Sequence, residues 1–288
     1  MSYVLMTDSS ADLPWSYYKE HDIPVIPMQV TMDEDVYTDN GSMDSKTFYQ
    51  KMRDGVVFKT SQYSEFQYTE FFEKVLSEGR DILYLGLTAG LSGSHESACR
   101  VRDQMREKYP GNTVCVPQTS AVSLGLGLML DEAVRRRDAG MGFEELCAWA
   151  EAEKLTFHHR FTVDDLMFLF RGGRVSRASA LMGTALGIKP RLHVDVDGKL
   201  VNHGKIRGRK ASLLGLVEEM EQLSDRREHD MITICHGDCI EDAQFVLDEV
   251  KKRFTVKNAI INPLAAAIGT HVGPGCMALF FIGKQRTE

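Results

Sequence analysis

From Tyr3 to about residue 154, short apolar runs alternate with stretches of helical period, and this alternation restricts the fold more than any other feature of the chain. Tyr3 to Met6 reads as a buried strand opening onto the polar turn Thr7-Asp8-Ser9-Ser10. Pro14 suits the first turn of a helix running to about Glu20. Pro24 to Met32 is extended, and its two prolines favour an edge. Ser64-Glu65-Phe66-Gln67 is a capping box, and the helix it starts is expected to place Phe66, Thr69, Phe72 and Leu76 on one face. Ile82 to Leu87 and Thr113 to Val116 read as further strands. A helix to about Lys108 follows the first, and helices near 121–138 and 143–154 follow the second. Strands and helices in this order predict a mostly parallel sheet covered on both faces.

Beyond about residue 160 the pattern changes. Asp197-Gly198 stands between Leu192-Val194-Val196 and Leu200, a strong hairpin signal. Helices are expected near 176–187, 209–223 and 240–253, with strands near 231–235, 256–262 and 277–283. The reading is therefore α/β with two domains: residues 1–160 around a mostly parallel sheet, and residues 161–288 as a mixed, partly antiparallel α/β layer. A length of 288 residues is enough for two cores.

Composition removes several function classes. The hydrophobic fraction is 43% and the charged fraction 26%, ordinary for a globular protein. No apolar run approaches the roughly 18 residues of a membrane span. The first residues lack a basic segment followed by an apolar one, so the expected location is the cytoplasm. Six cysteines lie on separate elements and read as reduced thiols. Cys235-His236-Gly237-Asp238-Cys239 is the one dense group, and its spacing fits a strand end with a buried thiol better than a zinc knuckle. The formal net charge is −7, which argues against non-specific nucleic-acid binding. Between Arg171 and Lys210, however, ten Lys or Arg face two Asp, a local charge of +8, so the remainder sums to −15. That island suits either a specific anionic partner or a solvated face with helix-end charges.

Gly90-Leu91-Ser92-Gly93-Ser94 lies where a hydrolase nucleophile elbow would lie. The elbow needs G-x-S-x-G, but here Gly93 follows Ser92 directly and Ser94 takes the later glycine's place. The spacing favours a backbone nest at a helix N-terminus with two extra hydroxyl donors, which suits an anion. Gly125-Leu126-Gly127 lacks the third glycine of a dinucleotide fingerprint and reads as close helix packing. Gly208-Arg209-Lys210-Ala211-Ser212 has a P-loop's letters in the wrong order. Gly269 to Gly275 reads as a rigid turn between two strands. It fixes His271, either as an ordinary satisfied polar side chain or as a group that contacts a carboxylate or shares a proton.

Seven segments occur together in one order: Thr7-Asp8-Ser9-Ser10-Ala11-Asp12-Leu13-Pro14, Lys59-Thr60-Ser61-Gln62, Gly90-Leu91-Ser92-Gly93-Ser94, Asp165-Leu166 with Arg171-Gly172-Gly173-Arg174, Gly187-Ile188-Lys189-Pro190, Arg207-Gly208-Arg209-Lys210, and Gly269-Thr270-His271-Val272-Gly273-Pro274-Gly275. With these the whole chain resembles the DegV family, whose members include the fatty-acid-binding subunit of bacterial fatty acid kinase. The resemblance implies a two-domain DegV-like α/β fold with a long-chain fatty acid between the domains. By position, Thr60, Ser61, Ser92, Gly93, Ser94 and His271 would hold the carboxylate. Arg171 and Arg207 would sit at the mouth, where a fatty acid kinase catalytic subunit delivers phosphate to make acyl-phosphate. It further implies a carrier without catalysis of its own, with no cofactor or metal beyond the fatty acid ligand and no nucleic-acid partner, and it admits transient membrane contact. Two departures stand out. Tyr63 replaces a proline common after the Thr-Ser-Gln run, and Gln118-Thr119-Ser120 replaces a more usual Asp-Ser.

The chemistry of the residues agrees. Hydroxyls and backbone amides can hold a carboxylate without the desolvation penalty of burying a lysine or arginine. The 14 Met, the 14 Phe and the stretches Leu124 to Leu130 and Leu166 to Phe170 could line a tunnel or simply form core. Arg171, Arg174 and Arg177 share a face if helical, while Gly172-Gly173 equally suits a loop; with Arg207 they would suit a developing acyl-phosphate charge. The alternative is a serine hydrolase or acyltransferase using Ser92 or Ser94 with His271, which needs a third group to orient the histidine. No obvious orienting acid is present in the sequence.

Overall fold

The computed structural model describes residues 3–176 and 187–288. β1 (Tyr3–Asp8), β2 (Val25–Ile26), β6 (Asp81–Leu85) and β7 (Val114–Cys115) form a wholly parallel sheet in the order β2-β1-β6-β7. Every residue of β1 is buried, as a strand covered on both faces requires. Two helix pairs pack on this sheet: α3 (Glu65–Leu76) with α4 (Ser94–Lys108), and α5 (Leu124–Asp138) with α6 (Phe143–Glu153). The capping box of α3 forms as expected. Its buried face is not the expected one: Tyr68, Phe71, Phe72 and Val75 turn inward, while Phe66 is 68% exposed. Position 66 is in the first turn, ahead of the buried face that begins at Tyr68.

The second sheet is six-stranded and mixed, in the order β10-β9-β8-β13-β11-β12. Its strands are β8 (Phe157–Thr162), β9 (Ile188–Val194), β10 (Leu200–Arg207), β11 (Glu228–His236), β12 (Thr255–Pro263) and β13 (Met277–Ile282). The boundary expected between residues 160 and 161 falls inside β8, which pairs with β13 and β9 of this sheet. The β9–β10 hairpin forms, closed by Asp195 N–H to Lys199 O at 2.9 Å, with Gly198 at φ +78° in its three-residue loop. Two helices, here α8 (Arg209–Leu223) and α9 (Ile240–Lys251), build a separate core against this sheet. α5 packs against β1 of the first sheet and against β8, β11 and β13 of the second. That position explains its unbroken buried run Leu124–Leu130 and its two glycines. A Cβ on Gly125 would fall 2.1 Å from the His159 ring, and one on Gly127 would fall 2.7 Å from the Ala11 carbonyl.

Several elements differ from expectation. The extended segment Pro24 to Met32 is two strands, with β2 at the edge of the parallel sheet and β3 (Gln29–Met32) at the centre of a third one. That third sheet, β4-β3-β5, is antiparallel and adds β4 (Asp35–Thr38) and β5 (Phe58–Ser61), with α2 (Ser45–Arg53) in between. The supposed rigid turn around His271 begins as a helix. α10 (Ala266–Val272) carries Gly269, Thr270 and His271, and Gly273 at φ +74° ends it. The short α7 (Met167–Arg171) was also unforeseen. The helix expected near 176–187, with Arg177, falls on residues 177–186, outside the described residues. Among the described residues no helix is long and apolar enough to cross a membrane, and no group of three or more potential ligands is placed to hold a metal ion. All six cysteines are free thiols; Cys235 is buried at the end of β11 and Cys239 precedes α9.

Candidate functional site

Where the three sheets meet, a cavity of about 530 Å³ opens between residues of both halves of the chain. That size lies within the roughly 300–1,000 Å³ usual for small-molecule sites. Its body is apolar, walled by Leu87, Phe161, Leu169, Val194, Ile268 and Phe280 among others. Of the methionines among the described residues, only Met28 reaches it, and the Leu124–Leu130 stretch is core instead of lining. One imidazole does face the cavity body. His159 places Nδ1 3.1 Å from Phe157 O, while its Nε2 accepts from Val122 N–H at 3.2 Å. Burial, with a smaller contribution from Arg286, holds its pKa well below the ordinary histidine value. With both nitrogens engaged by backbone, it presents a neutral ring. The Cys235 and Cys276 thiols are likewise kept protonated, burial raising both.

Polar groups collect at the other end. β5 carries Thr60, opposite Val30 of β3, and Thr60 Oγ1 lies 2.8 Å from His271 Nε2 in the last turn of α10. His271 Nδ1 has no partner and faces Gly172, where a Cβ would fall 2.3 Å away. Burial first, then the nearby Arg174 charge, pushes His271 down to about 4, so the ring is neutral at pH 7. With its proton on Nε2 the ring donates to Thr60 Oγ1, leaving the threonine O–H free to donate to a ligand.

Ser61, Ser92 and Gly93 line the same end. β5 delivers Ser61, and the β6–α4 loop delivers Ser92 and Gly93, held by Ala89 N–H to Gln118 Oε1 at 3.2 Å and Leu91 N–H to Thr88 O at 3.2 Å. Ser92 Oγ accepts from Ser94 N–H at 3.2 Å and lies 3.0 Å from Ser94 Oγ. Ser94 also accepts from Tyr63 N–H at 3.4 Å. Thus Ser94, expected to touch the carboxylate, is buried behind Ser92 and does not line the cavity. A Cβ on Gly93 would fall 2.5 Å from Gln62 Oε1, the mobile end of that side chain.

The arginines sort differently from their spacing. α7 ends in a Schellman turn, with Arg174 N–H to Leu169 O and Gly173 N–H to Phe170 O both at 2.9 Å, and Gly173 at φ +76°. The turn separates Arg171 from Arg174. Arg171 is exposed over the Phe168 ring at 5.6 Å. Arg174 points back into the cavity, donating from Nε to Leu91 O at 3.2 Å and from its other arm to Gly172 O. It has no carboxylate partner, and burial lowers its pKa from the ordinary arginine value. Spacing gave no reason to rank it above Arg171; the adjacent Gly172-Gly173 was the available signal. Arg207 is exposed at the end of β10 and does not line the cavity. Arg209 is committed to Asp242 and Asp164.

Among the described residues no serine triad assembles. Ser92 and Ser94 bond to each other, His271 bonds to Thr60, and no carboxylate reaches either ring nitrogen. The arrangement instead offers neutral hydroxyl donors and one uncompensated guanidinium at the head of an apolar chamber.

Residues 2–284 match the DegV family of uncharacterised proteins. A DegV domain-containing protein of Clostridium perfringens is 38% identical over 286 residues, covering 99% of this chain and 98% of its own. Among solved structures, a DegV lipid-binding protein from Thermotoga maritima aligns at 28% identity with a TM-score of 0.87, covering 100% of both chains. A DegV family protein from Thermus thermophilus, described as fatty-acid-binding, aligns at 29% identity with a TM-score of 0.88, covering 99% of this chain and 100% of the other.

Proposed function

This chain belongs to the DegV family, and from that premise we propose that it is a cytoplasmic carrier of a long-chain fatty acid that presents the carboxylate to a separate fatty acid kinase. The observation that carries the reading is the cavity itself, an apolar chamber of about 530 Å³ with its polar groups gathered at one end. The acyl chain occupies the chamber. Thr60, Ser61, Ser92 and Gly93 receive the carboxylate, with His271 orienting the Thr60 hydroxyl, Ser94 bracing Ser92 and Arg174 supplying the compensating charge. At about 0.8 kcal/mol per methylene, some fifteen buried methylenes contribute on the order of 12 kcal/mol before the losses of association are counted. A ligand held that firmly is best modified in place. The partner docks over the basic segment, where exposed Arg171 and Arg207 face the incoming phosphate and the carrier itself performs no chemistry. Solved relatives described as fatty-acid-binding support the ligand class.

Mass spectrometry of an organic extract from freshly purified protein tests the carrier. Near-stoichiometric fatty acid is expected, and an extract still empty after incubation with oleate and palmitate would defeat the proposal. The partner half has its own test. Arg207→Ala should retain lipid but lower kinase-dependent phosphorylation, and loss of lipid from folded Arg207→Ala protein would contradict that role.

A further inference from the structure

A second, outer cavity of about 330 Å³ adjoins the first and shares Thr60, Arg174 and His271 with it. Its cations are Lys59, Arg171 and Arg174, and none has a carboxylate partner. Among the described residues no acidic side chain lines it. Since His271 is neutral at pH 7, the lining of the outer cavity carries three positive charges and, among the described residues, no negative one. A fatty acid explains only part of this. In the carrier reading its carboxylate ends at the Thr60 hydroxyl, inward of Lys59 and Arg171. At about 30 Å³ per water, the outer space corresponds to roughly eleven waters, several times what a carboxylate oxygen fills. At the junction the Thr60 hydroxyl suits a carbonyl and Arg174 reaches both cavities, while Lys59 and Arg171 line only the outer one, where a more highly charged group would sit.

We propose that the outer cavity is a head-group subsite and that the protein also takes single-chain lipids bearing a glycerol phosphomonoester, the monoacylglycerol phosphates. The ester carbonyl accepts from the Thr60 hydroxyl that His271 orients, the glycerol fills the outer cavity, and the phosphate lies among Lys59, Arg171 and Arg174. Phe168 and Val57 form the less polar flank against the glycerol carbons. This inference rests on the acyl-carrier reading of the inner cavity.

The test is displacement of a fluorescent fatty acid from delipidated protein, with every lipid below its micellar concentration. The competitors are 1-oleoyl-glycerol 3-phosphate, oleate, 1-oleoyl-glycerophosphocholine and inorganic phosphate. The phosphomonoester should compete at least as well as oleate and about tenfold better than the choline lipid, as expected for charge-assisted bonds to a dianion. Lys59→Glu should weaken the phosphomonoester about tenfold more than it weakens oleate, and Lys59→Gln should act in the same direction less strongly. Equal binding of the two phospholipids would overturn the subsite, as would failure of the phosphomonoester while oleate still binds. Inorganic phosphate that raises the melting temperature without any phosphomonoester preference would make this a free-anion site and also overturn it. If oleate fails as well, the carrier reading falls with it.

Discussion

Thr60→Val is the sharpest probe of the polar end. Valine keeps the branched shape that suits β5 opposite Val30, so the strand should persist. What disappears is one hydroxyl, the partner of His271 Nε2 at 2.8 Å. Because His271 Nδ1 already lacks a partner, the ring would be left with none on either side. In the unliganded protein this should lower stability by about 1–3 kcal/mol, the usual penalty for an orphaned buried polar group. In the complex a donor to a charged carboxylate is lost, worth about 1.5–3 kcal/mol, or roughly ten- to a hundredfold in Kd. The apolar walls are untouched, so an uncharged ligand of equal chain length should lose much less. The assay is competitive displacement at pH 7 with oleate and oleyl alcohol, alongside thermal melting. Thr60→Val should flatten the preference for oleate over the alcohol. An unchanged preference in well-folded protein would refute the placement of the carboxylate at the Thr60 hydroxyl.

Other expectations follow from the same geometry. Gly172→Ala has an acceptable backbone at φ −72°, yet its Cβ would lie 2.3 Å from His271 Nδ1. It should displace the ring and weaken oleate binding severalfold with little change in melting temperature, and wild-type affinity would show that the ring position is immaterial. Ala278→Leu adds bulk to the cavity wall, so extracts of the variant should shift towards shorter acyl chains by mass spectrometry; an unchanged profile would place the tail elsewhere. Burial pushes His158, His193, His229 and His271 each down to about 4, while the unfolded chain protonates them near 6.5. The unfolded state therefore binds more protons between about pH 4 and 6.5, and stability falls as pH drops through that window. Asp39, raised to about 6 by burial, opposes this, since it gains its proton first in the folded state, and burial raises Asp8, Asp12 and Asp131 in the same sense. Burial lowers His95, His159 and His236 as well, so seven histidines stand against four carboxyls; the urea midpoint should be lower at pH 5 than at pH 7.5, and equal midpoints would refute the balance.

The sequence by itself determined the elements whose cause is local. The capping box at Ser64 fixed the start of α3, the loop around Gly198 fixed the β9–β10 hairpin, and apolar strands alternating with helices fixed the parallel sheet. These depend on neighbours in the chain, so short-range periodicity and turn chemistry suffice to read them. Most of the residues at the polar end were also legible, because hydroxyls beside glycine at a helix start have few structural reasons to cluster. Tertiary structure decided the rest. β4 and β5 become strands only by pairing with β3, and Gly269 to His271 become helical only where α10 packs against α2, α7 and β5. Ser94 and Ser92 look equivalent in the chain, yet the Tyr63 backbone pulls one behind the other. Arg171 and Arg174 differ because a left-handed Gly173 turns the chain between them, leaving the first in solvent and the second at the cavity. Which side chains line the chamber was not readable either, since a Leu or Phe has the same local signature in a packed core as in a cavity wall, and only the meeting of three sheets separates the two.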